Sequence, residues 1–161
     1  MHASDHRDAF INVLKSFDVG MLATRGGSLH ARPMRIAEVN DDGTLIFVTS
    51  LESSKVAEID HDPRALVTFQ GHARYVSAIG GIHIVKDKSE IRQAWHESWR
   101  VWFPHGLDDP SICLLRFEIY QGEYWNMSGA SGVKYLFEAA RAYFSGRTPV
   151  LDSTQHSYFE M

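Results

Sequence analysis

A hydroxyl-rich segment follows the apolar run 45–48 and ends in a lysine. It contains Thr49, Ser50, Ser53, Ser54 and Lys55. If a strand ends near residue 50 and a helix begins near 53, free backbone N–H groups, hydroxyls and an ammonium group meet at one place, where they can bind a phosphate. The alternative is that Ser53 only caps the helix and Lys55 lies in solvent, and the local pattern by itself favours this simpler interpretation.

A second anion-binding candidate lies upstream, in the run 30–36 with the sequence HARPMRI. Pro33 lacks a backbone donor, which predicts an edge strand or a bulge at this point. Arg32 lies directly beside that distortion and is a better anion-binding candidate than Arg35. The alternative is an ordinary surface arginine on an edge strand.

The elements that must position these residues are mostly strands. Alternating apolar residues and turn signals predict strands over residues 19–24, 29–39, 44–50, 65–70, 74–85 and 112–125. Helical spacing predicts helices over residues 5–17, 53–60, 88–102 and 133–144. Strands in hairpin-like succession do not form a βαβ pattern, so we expect a mainly β or α+β fold, a closed antiparallel barrel with peripheral helices. One domain over residues 1–145 and a C-terminal tail over 146–161 are expected.

Composition limits the classes of partner. The chain has 161 residues, of which 44% are hydrophobic and 22% charged, as expected for one globular domain. Its net charge of −4 argues against nucleic acid as a partner, although one phosphate needs only local positive charge. The polar N-terminus and the absence of a long apolar run predict neither a secretory signal nor a membrane partner, so a cytoplasmic location is expected.

Other chemistry has little support in the residue pattern. The nine histidines are scattered through different elements, and no metal site is predicted. Cys113 is the single cysteine and is interpreted as a small buried hydrophobe. Neither paired carboxylates nor a Ser/His/Asp motif indicates a hydrolase.

Several short motifs occur in a recognisable order. The runs ARPM (31–34), FVTS (47–50) and SSK (53–55) together resemble the pyridoxamine 5′-phosphate oxidase-like, flavin-binding split barrels. The run WRVWFPHGLDDP (99–110), with EYW (123–125), is similar to the general stress protein branch of that superfamily. The resemblance extends over roughly residues 8–137.

This resemblance implies a six-stranded antiparallel split β-barrel and a homodimer with two equivalent FMN sites at its interface. Residues implied at the phosphate are Arg32, Thr49, Ser54 and Lys55, with Ser53 nearby. Residues implied along the ring and the ribityl chain are Pro33, Met34, Val48 and Ser50. The partner subunit is expected to contribute the aromatic residues Trp102, Phe103 and Trp125, whereas Trp95 and Trp99 are expected to serve helix packing.

The implied function is a stress-related, flavin-dependent oxidoreductase of a small molecule, with no catalytic residue identified. A non-catalytic flavin carrier, scavenger or sensor is the alternative, and another flat cofactor such as a deazaflavin or haem stays open. Pyridoxamine 5′-phosphate oxidation itself is less expected. Those enzymes end in a basic stretch that binds substrate phosphate, whereas here Trp125 is followed by NMSGASG (126–132).

Overall fold

The computed structural model describes residues 3–129 and 156–160. Three α-helices are described: α1 (Ala3–Leu14), α2 (Ser54–His61) and α3 (Lys88–Ala94). Seven strands are described: β1 (Val19–Gly26), β2 (Ser28–Val39), β3 (Leu45–Ser50), β4 (Arg64–Gly71), β5 (Arg74–Val85), β6 (Ile112–Asn126) and β7 (His156–Glu160). Two short 3₁₀ helices cover Glu97–Val101 and Gly106–Asp108. The predicted helix 133–144 lies outside the described residues.

The first six strands close into an antiparallel barrel. The strand order is β3-β2-β1-β4-β5-β6-β7, and the additional pairing of β3 with β6 closes the ring. This confirms the barrel with peripheral helices that the sequence predicts. One edge of β6 is shared by two strands, since residues 112–117 pair with β3 and residues 121–125 pair with β7. The sequence pattern did not predict β7.

The barrel interior is filled by the alternating apolar side chains of the strands. Phe47, Phe69 and Phe117 are completely or almost completely buried there, and α1 adds Phe10 and Leu14 to the same cluster. Burial of these large side chains is the main driving force for closing the barrel. Within the described residues, none of the helices combines the length and the apolar character needed to cross a membrane.

A bulge in β6 changes which residues face inward. Ile119 pairs with Gly80 and Gln121 with Ile79, so Tyr120 is the extra residue of the bulge. Before the bulge the odd-numbered Ile119 is buried, and after it the even-numbered Tyr124 is buried. Gly80 is required here, because a Cβ atom on it would lie 2.0 Å from the carbonyl oxygen of Glu118.

The helix predicted over residues 88–102 is wrong in its second half. Helix α3 ends at Ala94, and Trp95 has extended backbone angles before the 3₁₀ helix begins at Glu97. The reason is tertiary packing, since Trp99 is buried with Phe103 and Ile91 in a second apolar cluster. Burial of Trp99 outweighs the helical periodicity of residues 88–102, whose apolar side chains would form one stripe on a continuous helix.

Candidate functional site

A cleft opens where β2 and β3 separate. Their ladder runs from the pair Val39 and Leu45 only as far as the pair Ile36 and Phe47. Beyond that point residues 28–35 of β2 pair only with β1, and residues 48–50 of β3 pair only with β6. Pro33 lies on this part of β2, where a missing backbone donor costs little. The cleft between the two strands has a volume of about 420 Å³.

The cleft brings together most of the residues that the sequence singled out. The predicted residues that line it are Pro33, Met34, Val48, Thr49, Ser50, Ser53, Lys55, Trp102 and Phe103. The sequence did not assign Arg35 and Trp99 to the site, although both line it. Arg32, Ser54 and Trp125 are not among its lining residues.

One end of the cleft is polar and carries positive charge. Lys55 is half-buried, and its Nζ donates a 2.9 Å hydrogen bond to Oγ1 of Thr49. The Ser53 hydroxyl lies 3.4 Å from the same Thr49 oxygen. Ser53 occupies the N-cap position of α2, but its side chain makes no capping hydrogen bond. The simpler interpretation, a capping serine with a solvated lysine, is therefore wrong.

Local sequence explains how these groups converge. Thr49 is held near the end of β3 by its pairing with Cys113 of β6. The chain then turns, with the Ser53 N–H donating to the carbonyl of Ser50 at 3.1 Å, and α2 begins at Ser54. A lysine in the first turn of α2 can thus reach back to the end of the strand.

Electrostatics favour an anion beside Lys55. Burial lowers the pKa of Lys55, and the positive charge of Arg32 lowers it further. Two cations therefore lie close enough to repel each other, and an anion bound between them would stabilise both.

Arg32 does not line the cleft, and hydrogen bonds to two other side chains hold its guanidinium in place. It donates a 2.8 Å hydrogen bond from Nη2 to Oε2 of Glu58 and a second one from Nη1 to the hydroxyl of Thr24. Glu58 belongs to α2 and is 9% exposed, and it also bonds to Nδ1 of His30 at 2.8 Å. His30, Thr24 and Arg32 together lower the pKa of Glu58 to about 2 through their hydrogen bonds, so the carboxylate stays charged.

Three aromatic side chains also line the cleft and form an aromatic wall. Trp99 and Phe103 are buried, whereas Trp102 is 62% exposed at the mouth of the cleft. The N–H groups of Trp102 and Phe103 both donate to the carbonyl of Trp99, at 2.9 and 3.0 Å. Trp102 and Phe103 thus line the cleft of their own chain, whereas the sequence interpretation assigned them to a partner subunit.

The remaining predicted residues lie elsewhere on the chain. Ser54 is exposed at the start of α2, and Trp125 pairs with Tyr75 of β5 and His156 of β7. The position of Arg35, two residues after Pro33 on the segment of β2 that does not pair with β3, could have indicated that it lines the cleft. Trp99 was missed because its helical spacing was attributed to packing alone.

The single cysteine and the His, Asp and Glu side chains of the described part of the chain do not line the cleft. Cys113 is buried, and burial raises the pKa of its thiol to about 11. Among residues 3–129 and 156–160, His, Cys, Asp and Glu side chains form no group of three or more that could hold a metal ion.

Comparison with solved structures finds the same fold in other proteins. A candidate general stress protein 26 from Jannaschia sp. CCS1 is 24% identical, with a TM-score of 0.75 over 98% of this chain and 99% of that one. A Clostridium acetobutylicum protein related to general stress protein 26 of B. subtilis (pyridoxinephosphate oxidase family) is 14% identical, with a TM-score of 0.71 over 100% and 97% of the two chains. The general stress FMN/FAD binding protein of Xanthomonas citri is 26% identical, with a TM-score of 0.68 over 79% and 92%.

The fold of this chain is thus shared with these general stress proteins. A family model described as pyridoxamine 5′-phosphate oxidase like matches residues 5–150, and the chain belongs to that family. Among curated proteins no relative matches.

Proposed function

We propose that this protein binds FMN in the cleft between β2 and β3. The observation that carries the proposal is that the Lys55 ammonium and the Thr49 and Ser53 hydroxyls converge in a cleft that three aromatic side chains also line. A flavin phosphate needs directed donors and positive charge, and its ring needs a flat apolar surface. The cleft offers both.

The lining residues also suit the middle of the cofactor. Met34 and Val48 lie on the two separated strands and present apolar surface. Beside them, the edge of β2 that no longer pairs with β3 offers backbone hydrogen-bonding groups. The name of the Xanthomonas citri relative, an FMN/FAD binding protein, supports a flavin over another flat cofactor.

Bound flavin would supply redox chemistry, and we propose a flavin-dependent oxidoreductase acting on a small molecule. A non-catalytic carrier or sensor is the second candidate. It is favoured by one observation: the described residues that line the cleft include no His, Asp, Glu or Cys side chain that could exchange a proton with a substrate.

The proposal includes a homodimer. Met21 of β1 pairs with Thr68 of β4, which in turn pairs with Ser77 of β5. Ile79 lies two residues after Ser77 and points to the same side of the sheet, so Met21 and Ile79 share the outer face of the barrel. Val19, Met21, Tyr75 and Ile79 are all more than 40% exposed on this face. Large apolar side chains side by side on one sheet surface favour association with a second copy.

The test of flavin binding is a visible spectrum of the purified protein before and after adding FMN, and then after adding NADPH without oxygen. We expect added FMN to bind with a perturbed flavin spectrum. Protein that stays colourless and leaves FMN fluorescence unchanged would contradict the proposal. Bleaching by NADPH, followed by reoxidation with a substrate, would favour the oxidoreductase, and a bound flavin that NADPH leaves oxidised would favour the carrier.

A further inference from the structure

The Glu58 carboxylate holds Arg32, the cation that neighbours Lys55, in place. Arg32 is 20% exposed and Glu58 9% exposed, and the two side chains are joined by a 2.8 Å ion pair. The Thr24 hydroxyl bonds to both of them, and His30 bonds to the other oxygen of Glu58. A side chain with this many fixed partners has little rotational freedom.

We propose that Glu58 is a positioning residue for phosphate recognition, which fixes Arg32 behind Lys55 so that Arg32 adds its charge and free N–H groups to the phosphate end. This inference rests on the proposed FMN site. The guanidinium has five N–H groups, of which the two bonds to Glu58 and Thr24 use two. The others are free to serve an anion near Lys55.

Charge balance gives Glu58 a second role in the same arrangement. Arg32 lowers the pKa of Lys55 by repulsion, while the negative charge of Glu58 acts in the opposite direction. Glu58 thus partly offsets the repulsion between two neighbouring cations. A carboxylate and a phosphate repel each other, so Glu58 acts through Arg32 and not by contact with the phosphate.

The experiment compares two ligands that differ only in the phosphate. Dissociation constants for FMN and for riboflavin are measured by flavin fluorescence with the full-length wild-type chain, Glu58→Gln and Asp60→Asn. Asp60 is exposed on the same helix and provides the control for loss of one negative charge. We expect Glu58→Gln to weaken FMN binding by roughly tenfold or more, the range for one charge-assisted hydrogen bond, and to change riboflavin binding less than twofold.

The outcomes separate this inference from the proposed function. If the wild-type chain binds neither ligand, the proposed function fails. If the wild-type chain binds FMN but Glu58→Gln affects both ligands equally, Glu58 is only structural and the inference fails. Tighter FMN binding by Glu58→Gln would also overturn it, because Glu58 would then compete with the phosphate for Arg32.

Two further variants extend the test, and the first of them keeps it decisive if Glu58→Gln does not fold. Glu58→Asp keeps the charge but shortens the side chain by one methylene, and we expect the same FMN-specific loss. In the Arg32→Gln background, adding Glu58→Gln should change FMN affinity less than twofold, since both members of the pair are then neutral. A further loss in this double variant would show that Glu58 acts independently of Arg32 and would contradict the inference.

Discussion

The ammonium of Lys55 donates a 2.9 Å hydrogen bond to Oγ1 of Thr49, which joins the first turn of α2 to the last residues of β3. The bond keeps a half-buried cation at the end of the cleft and aims a hydroxyl at the same place. Because β2 and β3 separate here, both groups line the cleft between the two strands.

Replacing Lys55 by Met should remove one of the two cations at the polar end. We expect FMN affinity to fall by roughly ten- to a hundredfold, because a charge-assisted hydrogen bond to the phosphate is lost. Riboflavin affinity should hardly change. Lys15→Met, which removes an exposed lysine paired with Asp41, is the matched control and should leave FMN binding unaltered. A proportional loss for riboflavin would show that Lys55 does not act on the phosphate.

Ser53→Ala should separate ligand binding from helix capping. Since the Ser53 side chain makes no capping bond, the variant should unfold in urea with a free energy within about 0.5 kcal/mol of wild type. FMN binding should weaken a few-fold. The comparison variant is Asp87→Ala, because Asp87 caps α3 by accepting from the N–H groups of Ser89 and Glu90. Its loss should cost about 1 kcal/mol.

If Ser53→Ala destabilises the chain as much as Asp87→Ala does, the hydroxyl serves the helix and its place in the cleft is incidental. Equal FMN affinity in Ser53→Ala and wild type would lead to the same conclusion.

The Glu58 carboxylate should make the free energy of unfolding depend on pH in the acidic range. Its pKa falls from 4.5 to about 2 on folding, chiefly through the hydrogen bond with His30. A carboxyl whose pKa is lowered in the folded state contributes stability above its unfolded pKa and loses that contribution as pH falls through the folded value. The free energy difference between wild type and Glu58→Gln should therefore shrink between pH 4.5 and about 2, as measured by urea unfolding at each pH. A difference that is constant over this interval would contradict the ion-pair network.

Gly80→Ala should destabilise the barrel where β5 passes the bulge of β6. Its Cβ would meet the Glu118 carbonyl oxygen at 2.0 Å, so backbone must move, and we expect a loss of about 2–3 kcal/mol. Gly71→Ala is the control, because its Cβ would lie 3.7 Å from Phe17 in ordinary contact. Similar unfolding free energies for the two variants would show that the bulge accommodates a side chain.

Ile79→Glu should disrupt the proposed homodimer. A charge introduced among Met21 and Tyr75 on the outer face would be buried on association, so we expect a monomer by light scattering at concentrations where wild type is dimeric. Ile79→Val keeps the surface apolar and should remain dimeric. A wild-type chain that is itself monomeric and binds FMN with full affinity would contradict a shared site.

The sequence by itself determined the barrel and much of the cleft. Strand alternation, the turn residues and Pro33 are local signals, and they were enough to predict six strands and a distorted edge in β2. The short motifs at 31–34, 47–50 and 53–55 then indicated which residues meet, through their resemblance to the pyridoxamine 5′-phosphate oxidase-like split barrels.

Tertiary structure decided which side chains face the ligand and which support them. The break after α3 depends on the burial of Trp99, a long-range contact that helical periodicity cannot register. The partner of Arg32 is Glu58 of α2, which lies 26 residues further along the chain. Pairing of this kind is set by the three-dimensional approach of α2 to β1 and β2, so the sequence of β2 alone could not show that a carboxylate binds Arg32 while Arg35 lines the cleft.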